Sequence, residues 1–285
     1  MLTVISLYNT VVGIILGIVQ GISEWLPISS KTQVLLVGTF LLHLNFSQAY
    51  ALGLFMEGGT TIAAIIYFRN EIYKTLLALA GRGGKEGRLL LKYLIIVTII
   101  TAVIAVPIYL YVSAIGGPVI GVPMIVLGIL LITDGIIIKL SKGRQSADRT
   151  LPRLTTMDFI LVGVSQGIAA LPGVSRSGAT VSAMLFLKIR PEEAFRLSFF
   201  AGILATLGAA GVTVIFSKSQ LRSIFAVLPI QYIVIASIVS IAVSLVLIRT
   251  LINSAKSGKI ISIVFALGLI AIIGGTIGML TGIGG

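Results

Sequence analysis

The chain reads as an all-α integral membrane protein, with six transmembrane helices and two re-entrant helix–loop–helix hairpins arranged as an inverted repeat. Three observations carry that reading. Of 285 residues, 57% are hydrophobic and 11% charged, and the mean hydropathy of +1.12 lies outside the range of soluble domains. Six apolar stretches, at 49–68, 91–112, 119–140, 197–217, 226–249 and 260–281, are long enough to span about 30 Å of hydrocarbon. Four others, at 4–22, 32–43, 157–171 and 178–189, are too short, and they flank two similar polar breaks. One break is LGIVQGISEWLPISSKTQ (16–33) and the other LVGVSQGIAALPGVSRSGAT (161–180). Lipid offers no partner to the backbone groups that such breaks release, so their repetition marks a site.

In chain order, the first apolar run has no basic leader and no small-residue cleavage site, and is read as part of the mature protein. It is interrupted at Pro27 and resumes to residue 43, making the first hairpin, 4–43; three spans complete a first repeat over 1–140. Residues 157–189 make the second hairpin, and three more spans complete a second repeat over 155–285 within one membrane domain. A hairpin returns to its own side and three spans are odd in number, so the second copy is upside down relative to the first. Their tips are expected to meet near the midplane, where inverted-repeat proteins place their sites. The connections GRGGKEGR (81–88) and SKGRQSADRTLPR (141–153) read as solvated linkers.

The formal charge of +12 is explained by topology. Arg69, Lys74, Arg82, Lys85, Arg88 and Lys92 follow the first span, and Lys139, Lys142, Arg144, Arg149 and Arg153 follow the third. Lys188, Arg190, Arg196, Arg249, Lys256 and Lys259 fall on the same side. The positive-inside rule then puts both termini outside, with the site opening outward, and nucleic acid is not a partner. Cysteine is absent, so disulfides and thiolate chemistry are excluded.

Within the breaks, Gln20 and Glu24 share a helix face, and Glu24 at membrane depth calls for a metal, a proton or an arginine as partner. Ser29 and Ser30 stand at the start of the next half-helix. Ser30-x-x-Gln33 fits a capping box, while a helix start in a polar pocket is also an anion site, so capping and nucleophilic roles both stand. Ser175, Arg176, Ser177 and Thr180 repeat the pattern with a phosphate-matching guanidinium, whose alternative is a pairing with Glu24. Glu57 is read as facing the site, the alternative being satisfaction by Thr60 and Thr61. Asp134 and His43 read as interfacial, and Gly58, Gly59, Gly202 and Gly208 as packing positions.

Gln20-Gly21-Ile22-Ser23-Glu24-Trp25-Leu26-Pro27-Ile28-Ser29-Ser30 and Pro172-Gly173-Val174-Ser175-Arg176-Ser177-Gly178-Ala179-Thr180 resemble the paired motifs of the undecaprenyl pyrophosphate phosphatases of the bacitracin-resistance type. Supporting stretches are MEGGTTIAAIIYF (56–68) and RPEEAFRLSFFAGILATLGA (190–209). The resemblance implies a membrane enzyme that hydrolyses a polyprenyl diphosphate to the monophosphate and recycles a lipid carrier. It implies catalytic roles for Glu24, Ser30 and Arg176, with Gln20 as partner of Glu24, and a divalent metal, Mg2+ or Ca2+, with Glu24 as a ligand. Lys31, Thr32 and Gln33 stand where that family usually has Thr-Gly-His. The imidazole base is therefore missing: either Glu24 activates the serine or a water, or the activity is changed. Lys31 is expected to add a phosphate contact, beside Ser29, Gln33, Ser175, Ser177, Thr180 and Glu57 as substrate-binding residues. A homo-oligomer is left open. The reading from another class is a transporter or flippase for a polyprenyl phosphate or similar anion on the same scaffold.

Overall fold

The computed structural model describes residues 2–115, 125–126, 128–129, 132–133, 136, 148–171, 173–256 and 260–280. Among them the regular structure is helical: α1 (Leu2–Ser23), α2 (Ser30–Leu42), α3 (Phe46–Tyr67), α4 (Arg69–Leu79), α5 (Gly84–Ile115), α6 (Thr156–Ile168), α7 (Arg176–Phe186), α8 (Pro191–Phe216), α9 (Lys218–Val227), α10 (Ile230–Lys256) and α11 (Ile260–Leu280). Five helices are long and apolar enough to cross a membrane, over Ser6–Ser23, Phe46–Tyr67, Gly84–Val112, Pro191–Phe216 and Ile230–Ala255. Leucine, isoleucine and valine side chains such as Ile62, Ile99, Val103, Leu207 and Val246 stand exposed on them, as a lipid-facing surface requires. The protein is a multi-pass membrane protein.

Three expectations change. The run at 4–22, expected to be too short to cross, belongs to the 22-residue helix α1. At 1.5 Å per residue that helix is about 33 Å long. Asn9 and Thr10 dilute its hydropathy without interrupting its backbone hydrogen bonds. The span expected from 226 begins at Ile230, because Pro229 disfavours helix at Leu228 and separates α9 from α10. The linker expected over 81–88 gives way to α5 from Gly84, and ahead of it the chain forms a further helix that was not expected, α4. It is tied down by Lys74–Glu86 (2.7 Å) and by Arg196 to Glu71 (3.4 Å). The span expected over 119–140 and the linker after it lie mostly outside the described residues, as does Asp134.

Helices α2, α6 and α7 have 13, 13 and 11 residues, too short to cross at 1.5 Å per residue. Each break is held by a helix from the other half of the chain. Gly13, Gly17 and Gly21 of α1 lie against Tyr232, Ala236 and Ser240 of α10, so the two helices run in the same direction with their backbones in contact. Gly163 and Gly167 of α6 lie in the same way against Val97, Ile100, Thr101 and Ile104 of α5. Small residues at this spacing permit the close approach that association in lipid relies on. Two buried apolar clusters follow. One joins α1, α2, α3 and α9 to the start of α10; the other joins Trp25 to α5, α6, α7 and α8. The two breaks lie between them.

Candidate active site

Helix α1 ends at Ser23, and Glu24 and Leu26 complete its last turn through bonds to Gln20 O (3.0 Å) and Ile22 O (3.4 Å). Pro27 ends the helix, and Ser29 turns the chain with φ 57°, a left-handed conformation that costs a non-glycine residue about 1–3 kcal/mol. Ser29, not Ser30, is therefore the residue before α2. Its side chain makes no capping bond and meets Thr32 Oγ1 at 3.0 Å instead. The expected capping box at Ser30 and Gln33 does not form, since Gln33 Nε2 donates to Ile28 O (3.2 Å). Ser30 is thereby left inside the first helical turn with its hydroxyl free to act elsewhere.

That hydroxyl donates to Glu24 Oε2 at 2.8 Å, and Gln20 Nε2 donates to the same oxygen at 3.0 Å. The other carboxylate oxygen, Oε1, receives Arg176 Nη2 at 2.8 Å. Both side chains of the ion pair are buried, 2% exposed for Glu24 and 10% for Arg176. The pairing alternative for Arg176 is thus real, but it sits within a larger constellation. Arg176 Nη1 reaches Ser198 O (3.3 Å), Nε has no partner among the described residues, and the guanidinium carbon lies 5.9 Å from the centre of the Trp25 ring. Gly202 makes the space, because a Cβ there would collide with the guanidinium.

The second break is built more conventionally. Ser175 precedes α7 with extended backbone and accepts from Gly178 N (3.2 Å). Ser177 donates to Glu24 O and Leu26 O, both 3.2 Å, and Thr180 bonds Arg176 O (2.8 Å) and Ser198 Oγ (2.6 Å). Pro172 lies outside the described residues. The breaks also tie to each other, through Gly173 N to Thr32 Oγ1 (3.2 Å) and Lys31 Nζ to Ala169 O (2.5 Å). Freed backbone groups of one break find partners in the other, and this lets irregular chain persist between apolar clusters.

Next to this constellation is a cavity of about 230 Å³. Lys31, Glu57, Gln166 and Arg176 form its polar end, and Ala102, Ala105, Leu204 and Gly208 are part of an apolar wall between α5 and α8. Ala102, Leu204 and Gly208 are exposed, so the wall opens sideways toward the apolar surface. Glu24 and Ser30 do not line this cavity and meet it through Arg176. Glu57 lines this cavity. Thr60 and Thr61 donate to its backbone carbonyl (2.9 and 2.8 Å) rather than to its carboxylate, so the alternative in which they satisfy the acid is overturned. Gly59 and Gly202 serve close packing, whereas a Cβ at Gly58 would make only ordinary contact with Ala210 (3.6 Å) and Gly208 has open space around it. His43 is exposed at the end of α2 in a left-handed conformation with φ 52°.

Sequence reasoning missed Tyr50, whose hydroxyl donates to Ala170 O (3.0 Å), and Gln166, whose amide donates to Thr101 Oγ1 (3.0 Å). Both signals were present. Tyr50 stands seven residues before Glu57 and hence on its helix face, and Gln166 repeats Gln20. Chemically, a hydroxyl held on a carboxylate is a nucleophile beside a base, and the arginine fork supplies donors for phosphate oxygens. A metal is less well served. Among the described residues no three His, Cys, Asp or Glu side chains come together, and both oxygens of Glu24 already accept hydrogen bonds.

The family model described as bacitracin resistance protein BacA matches residues 13–273. An undecaprenyl-diphosphatase of Saccharolobus solfataricus is 50% identical over 265 residues, covering 93% of this chain and 95% of that one. A protein of the same name from Saccharolobus islandicus is 52% identical over 254 residues, covering 89% and 91%. Another, from Pyrobaculum aerophilum, is 40% identical over 268 residues, covering 93% and 96%.

Proposed function

The chain belongs to the bacitracin resistance protein BacA family, and on that premise we propose that it is a membrane undecaprenyl-diphosphatase, hydrolysing a polyprenyl diphosphate to the monophosphate and phosphate. The observation that carries the proposal is the bond from Ser30 Oγ to Glu24 Oε2 at 2.8 Å, with Arg176 on the other oxygen. Gln33 donates to a backbone carbonyl and takes no part in it. Glu24 is thus the base that the sequence left in question.

In this reading the diphosphate enters the cavity, and the Arg176 fork turns from Glu24 to the terminal phosphate, its unpartnered Nε adding a donor. Release of Oε1 makes Glu24 a stronger acceptor for the Ser30 proton. Ser30 Oγ attacks the terminal phosphorus, its proton passes to Glu24, and the bond from phosphorus to the bridging oxygen breaks. Polyprenyl monophosphate leaves with the electron pair of that bond. Glu24 passes that proton to the departing monophosphate, and as a carboxylate again it deprotonates the water that frees phosphate from the serine, whose oxygen takes the proton back. Donors fixed before charge develops lower the barrier, and a buried site strengthens them. The apolar wall between α5 and α8 takes the start of the prenyl chain.

The finer architecture is part of the proposal. Six spans and two hairpins over 1–140 and 155–285 are supported by like-for-like contacts between the halves. Thr61 meets Thr206 hydroxyl to hydroxyl at 2.6 Å, and Gly128 and Gly268 each lie against the other's carbonyl. The glycine contacts of α1 on α10 and of α6 on α5 repeat in the same sense. The distribution of lysine and arginine supports external termini and an outward site.

The test is phosphate release from a polyprenyl diphosphate by purified protein in detergent. Wild type should turn over, and Ser30→Ala, Glu24→Gln and Arg176→Ala should each lose at least about 100-fold in kcat. Translocation of the lipid in vesicles without phosphate release would replace this reading with the transporter.

A further inference from the structure

Phosphoryl transfer needs fixed positive charge against the phosphate oxygens, and a divalent ion supplies it only where the protein offers oxygens with free lone pairs. This site offers few. One oxygen of Glu24 accepts from Arg176 at 2.8 Å, and the other from Ser30 at 2.8 Å and Gln20 at 3.0 Å. Gln20, one turn before Glu24 on the same face, turns its amide donor toward the acid rather than adding a carboxylate. Among the described residues, Glu57 is the one acid that lines the cavity.

The same cavity contains a cation of the chain's own. Lys31 is 6% exposed, lines the polar end, and among the described residues makes one hydrogen bond, to Ala169 O at 2.5 Å. Two of its three ammonium protons remain for a ligand. Its seat is built into the packing of α2 on α3. Gly53 lies beneath it, where a Cβ would stand 3.0 Å from the Lys31 carbonyl and 3.1 Å from its Cα. Glu24, Glu57 and Arg176 are the charged groups that act on it, and it forms no ion pair with either acid. Burying an ammonium without close pairing costs several kcal/mol, a cost that an incoming multivalent anion offsets.

We propose that the Lys31 ammonium takes the place of the divalent cation, neutralising the diphosphate together with Arg176, so that this chain hydrolyses its substrate without bound metal. The inference rests on the phosphatase reading and changes only which group balances the charge on the bridging oxygen as it leaves.

Two measurements decide it. Phosphate release is followed in EDTA and with added Mg2+ or Ca2+, for wild type, Lys31→Arg and Lys31→Met. Wild type should retain its rate within about twofold in EDTA, Lys31→Met should lose about 100-fold, and Lys31→Arg should recover most of that loss. A wild-type rate that collapses in EDTA and returns with Mg2+ overturns the proposal. The second measurement is calorimetric binding of inorganic pyrophosphate in EDTA, read on variants that elute as wild type does. Binding should weaken about tenfold or more in Lys31→Met. Should no variant or condition release phosphate, the phosphatase reading fails while this titration still decides the cation: binding that needs Mg2+ overturns its assignment to Lys31, and binding in EDTA that needs Lys31 upholds it.

Discussion

The two breaks are built to one plan and loaded differently. In each, a long or medium apolar helix ends at a turn, and a short helix restarts with a basic residue in its first turn that crosses to the other break. Arg176 crosses to a carboxylate, Glu24, at 2.8 Å; Lys31 crosses to a backbone carbonyl, Ala169, at 2.5 Å. The serine before α2 is strained at φ 57°, while the serine before α7 is relaxed at φ −78° and caps its helix. A further contrast lies in the spans beside them. Gly59 of α3 lets Ser237 and Ser240 of α10 come within 3.0–3.3 Å of where its Cβ would be. In the repeat reading Leu204 of α8 is its counterpart against α5, and it stands at the cavity wall. One gap is closed and the other held open. On the proposed reading, a duplicated scaffold keeps its backbone connections in both copies while assigning acid and nucleophile to one and the stronger anion binder to the other.

The hardest way to break the contrast is to remove its charge. Glu24→Ala leaves Arg176 buried without its partner, and should cost about 3–5 kcal/mol of stability besides abolishing turnover, measured by thermal unfolding in detergent and phosphate release. Lys31→Thr should cost much less stability, because a carbonyl rather than a charged guanidinium is left behind; equal losses would show that the two crossings are alike. Next, Gly202→Ala should push Arg176 from its position and lower kcat by about 100-fold with the fold retained. Overpacking comes third. Gly59→Leu should destabilise by about 1–3 kcal/mol, since the α3–α10 contact has no room for it, whereas Leu204→Gly should leave those two helices undisturbed. The smallest effect probes what the halves share. His43 and Lys188 are both exposed and left-handed, at φ 52° and 59°, after the short helices α2 and α7. Replacing either by glycine should raise stability by about 0.5–1 kcal/mol, and a gain at one position alone would argue against a common plan.

Much of the site was legible because polar residues inside apolar runs are few. Gln20, Glu24, Ser30, Arg176 and Glu57 announced themselves by cost, and the structure brings Glu24, Ser30 and Arg176 into direct contact. What stayed hidden depended on single-residue geometry. A capping pattern cannot tell that Ser29 takes a left-handed turn and displaces the helix start by one position, freeing Ser30. Nor can composition say that Thr60 and Thr61 bond a backbone carbonyl in preference to the carboxylate next to it. The fold was readable where hydropathy ran long and less so in α1, whose polar Asn9 and Thr10 blurred its length. Tyr50 escaped because a tyrosine in an apolar helix is unremarkable until its face is known to be shared with Glu57.

The crossing of Arg176 to Glu24 also sets the order of events when the protein is made. The two residues are 152 positions apart, so at about 5–20 residues per second the acid waits roughly 8–30 s for its arginine. Helix α1 waits longer still, since the surface for Gly13, Gly17 and Gly21 lies on α10. During that interval Glu24 is in the nascent chain without Arg176, and Lys31 without Ala169. The insertion machinery must shelter them, and the first half of the chain is committed to a shape it can hold only after the second half arrives.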